Sequence, residues 1–157
     1  MADKTIDRWT KEGEAFIKEL EKLGQMQVNV GYLEKGRHNA KAQTYPDGTK
    51  VVDVAAYNEL GTSTILPRPF IRRTAENNDE KFMRQVVKGV EDMIDGATAE
   101  QVLDELGVFA VGLLQDEIKN GDYVANAPAT IAQNGSNQPL IDTGLLRQSA
   151  SYDVRKK

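Results

Sequence analysis

Residues 98–121 read TAEQVLDELGVFAVGLLQDEIKNG, and the pattern of this stretch decides the fold. Thr98 and Gln101 open it at the spacing of a capping box, in which each side chain bonds the other residue's free backbone donor. Val102, Leu106, Phe109 and Leu113 form one stripe at helical spacing, and Leu103, Ala110, Leu114 and Ile118 form a second beside it. A stripe this wide predicts a helix buried on two sides. Asn120-Gly121 ends it.

Outward from this helix, the flanking sequence supplies a sheet and further helices. Met26, Val28, Val30 and Tyr32 alternate with Gln25, Gln27, Asn29 and Gly31, the period of a strand with one buried face. Ala150, Tyr152 and Val154 alternate in the same way, which predicts a second strand within 149–154 and an antiparallel pair with 26–33. Ile6, Trp9, Phe16, Leu20 and Leu23 mark an N-terminal amphipathic helix capped by Gly24. Val51 to Leu60 reads as a short helix presenting Val54, Tyr57 and Leu60 on one face and ended by Gly61. A long helix is expected to start near Pro69 or Thr74 and run to about Asp95, with Phe82, Val86, Val90, Met93 and Ile94 as its stripe. A short helix follows through Leu145 and Leu146, entered through a structural cap in Asp142-Thr143-Gly144. Arg155-Lys156-Lys157 reads as a frayed end.

The fold class is therefore α+β: one domain over 1–157, with a small antiparallel sheet packed against three to four helices. Two segments stand outside the regular pattern. Residues 34–50 carry Gly36, Gly48 and Pro46-Asp47-Gly48 turn chemistry among polar groups, and read as a long exposed loop or an extended hairpin arm that orders on assembly. Residues 122–139 look irregular, broken by Pro128, Pro139 and Asn134-Gly135.

Composition narrows the function. The 157 residues carry a formal net charge of -4, a mild acidic balance that disfavours broad nucleic-acid binding. Cysteine is absent, which leaves no disulfide or thiolate site. No apolar run reaches the ~20 residues that span a bilayer, so no membrane partner is expected. His38, the single histidine, lies in a polar loop among cations, a poor setting for a triad or a metal centre. The acids Glu76, Asp79, Glu80, Glu91, Asp92, Asp95, Asp116 and Glu117 fall beside Lys and Arg on the polar faces of helices and read as solvated surface. No catalytic residue, cofactor site or metal site is expected, and phosphate-binding and nucleophile motifs are missing.

The basic groups are more informative. Lys35, Arg37 and Lys41 share the long loop, and Arg68, Arg72 and Arg73 flank Phe70. Either set suits a phosphate or a partner's carboxylates, and a small DNA-binding module using the 35–41 loop is the alternative of a different class. Pro67-Arg68-Pro69-Phe70 is a stiff arm: Arg68 suits a carboxylate and Phe70 a pocket on a partner. The competing reading makes Pro69 the first residue of a helix and Phe70 the anchor of that helix in the domain's own core.

Two segments together resemble a known family. They are Val54-Ala55-Ala56-Tyr57-Asn58-Glu59-Leu60-Gly61-Thr62 continuing through Ile65-Leu66-Pro67-Arg68-Pro69-Phe70-Ile71-Arg72, and Pro139-Leu140-Ile141-Asp142-Thr143-Gly144-Leu145-Leu146-Arg147-Gln148-Ser149. Preceded by Val30-Gly31-Tyr32-Leu33, their order and spacing over 28–154 are similar to the tail-completion, or minor neck, proteins of long-tailed bacteriophages and prophages. Gln133 and Leu60 depart from that pattern, standing where a basic residue and an aromatic are common. The resemblance implies a late virion protein without catalytic machinery, joining head to tail through other phage tail and neck proteins. It implies a homo-oligomer, with a ring as the expected form. A tail-terminator or head-closure ring protein is the alternative within the virion. On this resemblance Asn58, Glu59, Gly61, Thr62, Pro67, Arg68, Pro69, Phe70 and Arg72 are the expected interface residues.

Overall fold

The computed structural model describes residues 10–33, 43–126, 128, 131, 132, 135, 137, 139–141 and 144–157. Its elements are α1 (Lys11–Gly24), β1 (Met26–Gly31), α2 (Val51–Leu60), α3 (Phe70–Glu76), α4 (Asp79–Ile94), α5 (Ala99–Asn120), α6 (Leu145–Gln148) and β2 (Ser151–Lys156). The fold is α+β: a two-stranded antiparallel sheet packed against helices.

The capping box at the head of α5 forms as expected. Gln101 N donates to Thr98 Oγ1 at 3.2 Å, and Thr98 N donates to Gln101 Oε1 at 2.8 Å. Ala99 N, a further orphan donor of that first turn, reaches Glu19 Oε2 on α1 at 2.7 Å. From this start α5 runs between α4 and α3 on some faces and the two strands on another. Leu103, Ala110, Leu114 and Ile118 are all buried, so the second stripe read from the sequence is the deeper one. Leu106, Phe109 and Leu113 are only half-buried, and Gly107 and Val111 join the buried set.

The strands pair in the register Val28↔Val154 and Val30↔Tyr152, which puts the alternating apolar residues of both on one face. The core beneath them gathers Val51, Ala55, Phe70, Val111, Leu114, Ile118, Leu146, Ala150 and Tyr152. Val28, Val30 and Tyr32 pack against it. Tyr32 meets Phe70 edge-on, with ring centroids 6.1 Å apart. Leu140 takes a left-handed φ of 64°, unusual for a branched side chain, and its contact with the core offsets that strain.

The Tyr32 hydroxyl is buried and has no hydrogen-bond partner among the described residues. Burial, with Tyr45 and Glu59 nearby, holds its pKa well above the ordinary 10.0. A raised pKa contributes stability that is present below the unfolded value and lost as the pH rises past it. Tyr32→Phe removes the stranded hydroxyl and keeps the ring. It is expected to stabilise the protein by about 1 kcal/mol at neutral pH and to shrink the loss of stability above pH ~10. Urea unfolding at neutral and alkaline pH measures both effects.

Several expectations are corrected. Gly24 is the last residue of α1, and the cap is Gln25, which has a right-handed φ of -96°. The expected helix from Pro69 to Asp95 is two helices. They break at Asn77-Asn78, where Asn78 Nδ2 turns back to bond Thr74 O at 2.9 Å. Such local side-chain bonds compete with helix continuation. On α2 the buried residues are Val51 and Ala55, whereas Tyr57 and Leu60 face outward. The carboxy-terminal end is held in place: Lys156 pairs with Met26, Lys157 N donates to Gln25 O, and Lys157 Nζ donates to Gly24 O, the latter two at 2.9 Å.

Residues 34–42 lie outside the described residues, and with them His38, Lys35, Arg37 and Lys41. The remaining part of the expected loop is built into the domain. Gly48 N bonds Tyr45 O, Tyr45 N bonds Thr49 O, and Thr44 and Lys50 form a bridge, closing a tight turn with Gly48 at φ 85°. Ser149 Oγ ties Gln43 to the far end of the chain at 2.7 Å. Within 122–139, expected to be irregular, Pro128, Ile131 and Ala132 are helical.

Candidate interaction site

The residues expected at the interface occupy one continuous turn of chain between α2 and α3. Asn58 and Glu59 stand on the last turn of α2, and Gly61 at φ 74° reverses the direction of the backbone. A side chain has no room there, since a Cβ would lie 3.0 Å from Ile65 O and from Pro67. Thr62 closes the loop through its own groups. Its N–H donates to Ile65 O, and its hydroxyl accepts from Thr64 N and Ile65 N. Arg68 N then bonds Asn58 O at 2.6 Å, returning the chain to α2.

The two charged side chains of this turn are spent inside the domain. Glu59 bridges the second and third amides of α3, accepting from Ile71 N at 2.7 Å and Arg72 N at 3.1 Å. This carboxylate supplies the cap that Pro69, at the N-cap position, has no side-chain group to give. Arg68 donates to Asn58 Oδ1 at 3.1 Å, Val124 O at 3.2 Å, Ala125 O at 3.5 Å and Asn126 Oδ1 at 3.3 Å. Its guanidinium therefore reads carbonyl oxygens, and partial burial lowers its pKa from the ordinary value. Arg73 sets a second anchor. It pairs with Glu117 at 3.2 Å, donates to Asp122 O at 2.9 Å and stacks over the Tyr123 ring. Tyr123 OH donates to Glu117 Oε1 at 2.6 Å, and burial followed by Glu117 pushes its pKa up.

Two of the expected interface roles change as a result. Phe70 is fully buried, so it anchors α3 in the core and fills no partner's pocket. Arg68 holds the 124–126 segment against the turn instead of presenting its fork outward. Arg72, Thr62 and Pro67 are exposed. Of the expected cap, Asp142 and Thr143 lie outside the described residues, and Gly144 holds the N-cap position of α6 with a left-handed φ of 75°. Leu146 packs inward behind it.

The outward face of the turn holds what the motif reading missed. Tyr57, Leu60, Leu66 and Val124 are exposed large apolar side chains carried by the segments that Asn58, Gly61 and Arg68 tie together. On α2 the buried residues Val51 and Ala55 leave Tyr57 and Leu60 on other faces. Among the described residues no group of three or more His, Cys, Asp or Glu is placed to hold a metal ion, and no helix is long and apolar enough to cross a membrane.

Arg68→Lys tests the anchor. An ammonium cannot span four acceptors lying in different directions, so stability is expected to fall by about 1–2 kcal/mol. Amide exchange in 124–126 is expected to quicken while that of α5 keeps pace with global unfolding.

Comparison with family models, with curated proteins and with solved structures finds no match for this chain.

Proposed function

We propose that this chain is a non-enzymatic structural protein of a tailed-phage virion, acting in tail completion and head–tail joining through protein–protein contacts. Its partners are then phage tail and neck proteins and further copies of itself, and its place is the virion, assembled in the bacterial cytoplasm. The observation that carries this reading is the turn between α2 and α3. Its charged groups, Glu59 and Arg68, are consumed in holding the loop to α3 and to the 124–126 segment, and the segments so tied expose Tyr57 and Leu60 on α2, Leu66 in the loop and Val124 after α5. A pre-organised apolar surface is suited to docking, because little ordering entropy remains to be lost on binding. The motif order that resembles tail-completion proteins runs through the same turn.

The test is genetic and structural. The gene is deleted from the phage or prophage that carries it, and the particles are viewed by electron microscopy. Full heads and tails of normal length that fail to join are expected, with joining restored when the purified chain is added to the lysate. Tails of abnormal length would point instead to tail termination, and emptied heads to head closure. Normal infectious particles would reject a virion role.

A further inference from the structure

The helix α4 is apolar on two faces, and only one of them is used. Phe82 meets Phe109 edge-on across the contact with α5, while Gly89 and Met93 are buried on the same side. Gly89 fixes the orientation: a Cβ there would fall 2.4 Å from Val102 Cγ1, so the helix lies flat on α5 at that point. Its other apolar face then turns to solvent. Met83 is 64% exposed, Val87 53% and Ile94 66%, with Val90 half-buried between them.

These four residues follow the spacing 4, 3, 4, which is the a/d seam of a helix pair. A surface helix of a monomer needs one such stripe; a second is unusual, and contiguous exposed apolar surface marks an interaction site. The charges beside the seam say what covers it. Arg84 and Glu91 occupy the same edge position in successive heptads, on the side away from α5. When two copies of one helix pair antiparallel, equal edges face each other. Met83 then lies across from Ile94 of the second copy and Val87 across from its Val90. Arg84 of each copy comes to face Glu91 of the other, so a twofold axis makes the favourable contact twice. The opposed helix dipoles add to the attraction. Among the described residues Arg84 makes the exposed pair with Glu80 at 3.8 Å, a weak interaction that is readily exchanged.

We infer that the exposed stripe of α4 is a self-association surface, which pairs with α4 of a second copy of this chain in antiparallel, twofold fashion. This inference stands apart from the phage assignment and holds or fails without it.

Sedimentation velocity of the full chain from micromolar to millimolar concentration tests it, with charge reversals at the edge. The parent protein is expected to pass from monomer to dimer. Arg84→Glu and Glu91→Arg each turn both symmetry-related contacts repulsive and are expected to weaken the dimer about tenfold. Mixing the two variants, or combining R84E with E91R in one chain, is expected to restore it. A parallel pair would not be restored, because Arg84 there faces Asp79 of the other copy. Both side chains sit on the exposed edge of α4, and the helical circular dichroism signal is expected to be unchanged in every variant. A strict monomer at all concentrations, a dimer indifferent to the single reversals, or a loss not recovered by the double reversal would each overturn the inference.

Discussion

Phe70→Ala is expected to lower the stability of the isolated chain by about 3–5 kcal/mol, the cost of removing a large aromatic side chain from a closed core. Phe70 has no exposed surface. It meets the Tyr32 ring at 6.1 Å and belongs to the cluster that joins α2, α3, α5, α6 and β2. The cavity would open where these elements converge, and little of it can collapse, because Glu59 ties the start of α3 to α2 and Arg73 ties α3 to Glu117 on α5. Urea unfolding followed by circular dichroism is expected to show a lower midpoint with an unchanged slope. The result separates the two readings of Pro67-Arg68-Pro69-Phe70. A partner anchor would be dispensable in the isolated chain, with a change within about 0.5 kcal/mol.

Gly107→Ala is the second large effect, and its sign runs against helix propensity. Replacing Gly by Ala inside an exposed stretch of helix stabilises by about 1 kcal/mol. At Gly107 the new methyl would sit 2.2 Å from the Tyr152 ring, where α5 crosses β2. The ring is buried, and the clash falls at its near edge, so it cannot swing away as the tip of a long side chain can. Overpacking of this kind costs about 1–3 kcal/mol, which outweighs the propensity gain. Gly112 provides the control on the same helix. A methyl there meets nothing within 4 Å, and Gly112→Ala is expected to raise stability by several tenths of a kcal/mol or more. Thermal unfolding of the pair should move the two melting temperatures in opposite directions. A shift of both upward would mean that α5 does not lie against β2 as described.

Features governed by local chemistry were legible in the sequence. The capping box of Thr98 and Gln101, the alternation of β1 and β2 and the turn at Pro46-Asp47-Gly48 depend on neighbours within a few residues, and each is found. Features decided at a distance were not. Asn78 breaks the helix by a bond back to Thr74, a choice that helical periodicity does not register. Lys157 reads as a loose end until β2 is paired with β1, which brings Gln25 O and Gly24 O within its reach. Helix propensity alone makes Gly107 a weak position, and its role as a crossing point depends on Tyr152, forty-five residues later in the chain.

The candidate site divides in the same way. The motif reading picked out Asn58, Glu59, Gly61, Arg68 and Phe70 as residues that belong together, and the fold does bring them into one turn. It did not separate residues that build the turn from residues that the turn displays. Arg68 suited a partner's carboxylate until its nitrogens were matched with Val124 O and Asn126 Oδ1, and Glu59 proves to hold the amides of Ile71 and Arg72. Leu60 and Leu66 lie within the motif, yet a leucine alone does not mark a docking surface, because exposed leucines are common on protein surfaces.

Immunogold electron microscopy tests the central claim most directly, using antibodies raised against the purified chain and phage particles produced by the genome that encodes it. Label is expected on intact virions at the single point where head meets tail, and at the head-proximal end of detached tails. Virions free of label, or label on fibres or along the tail, would contradict a role in tail completion and head–tail joining.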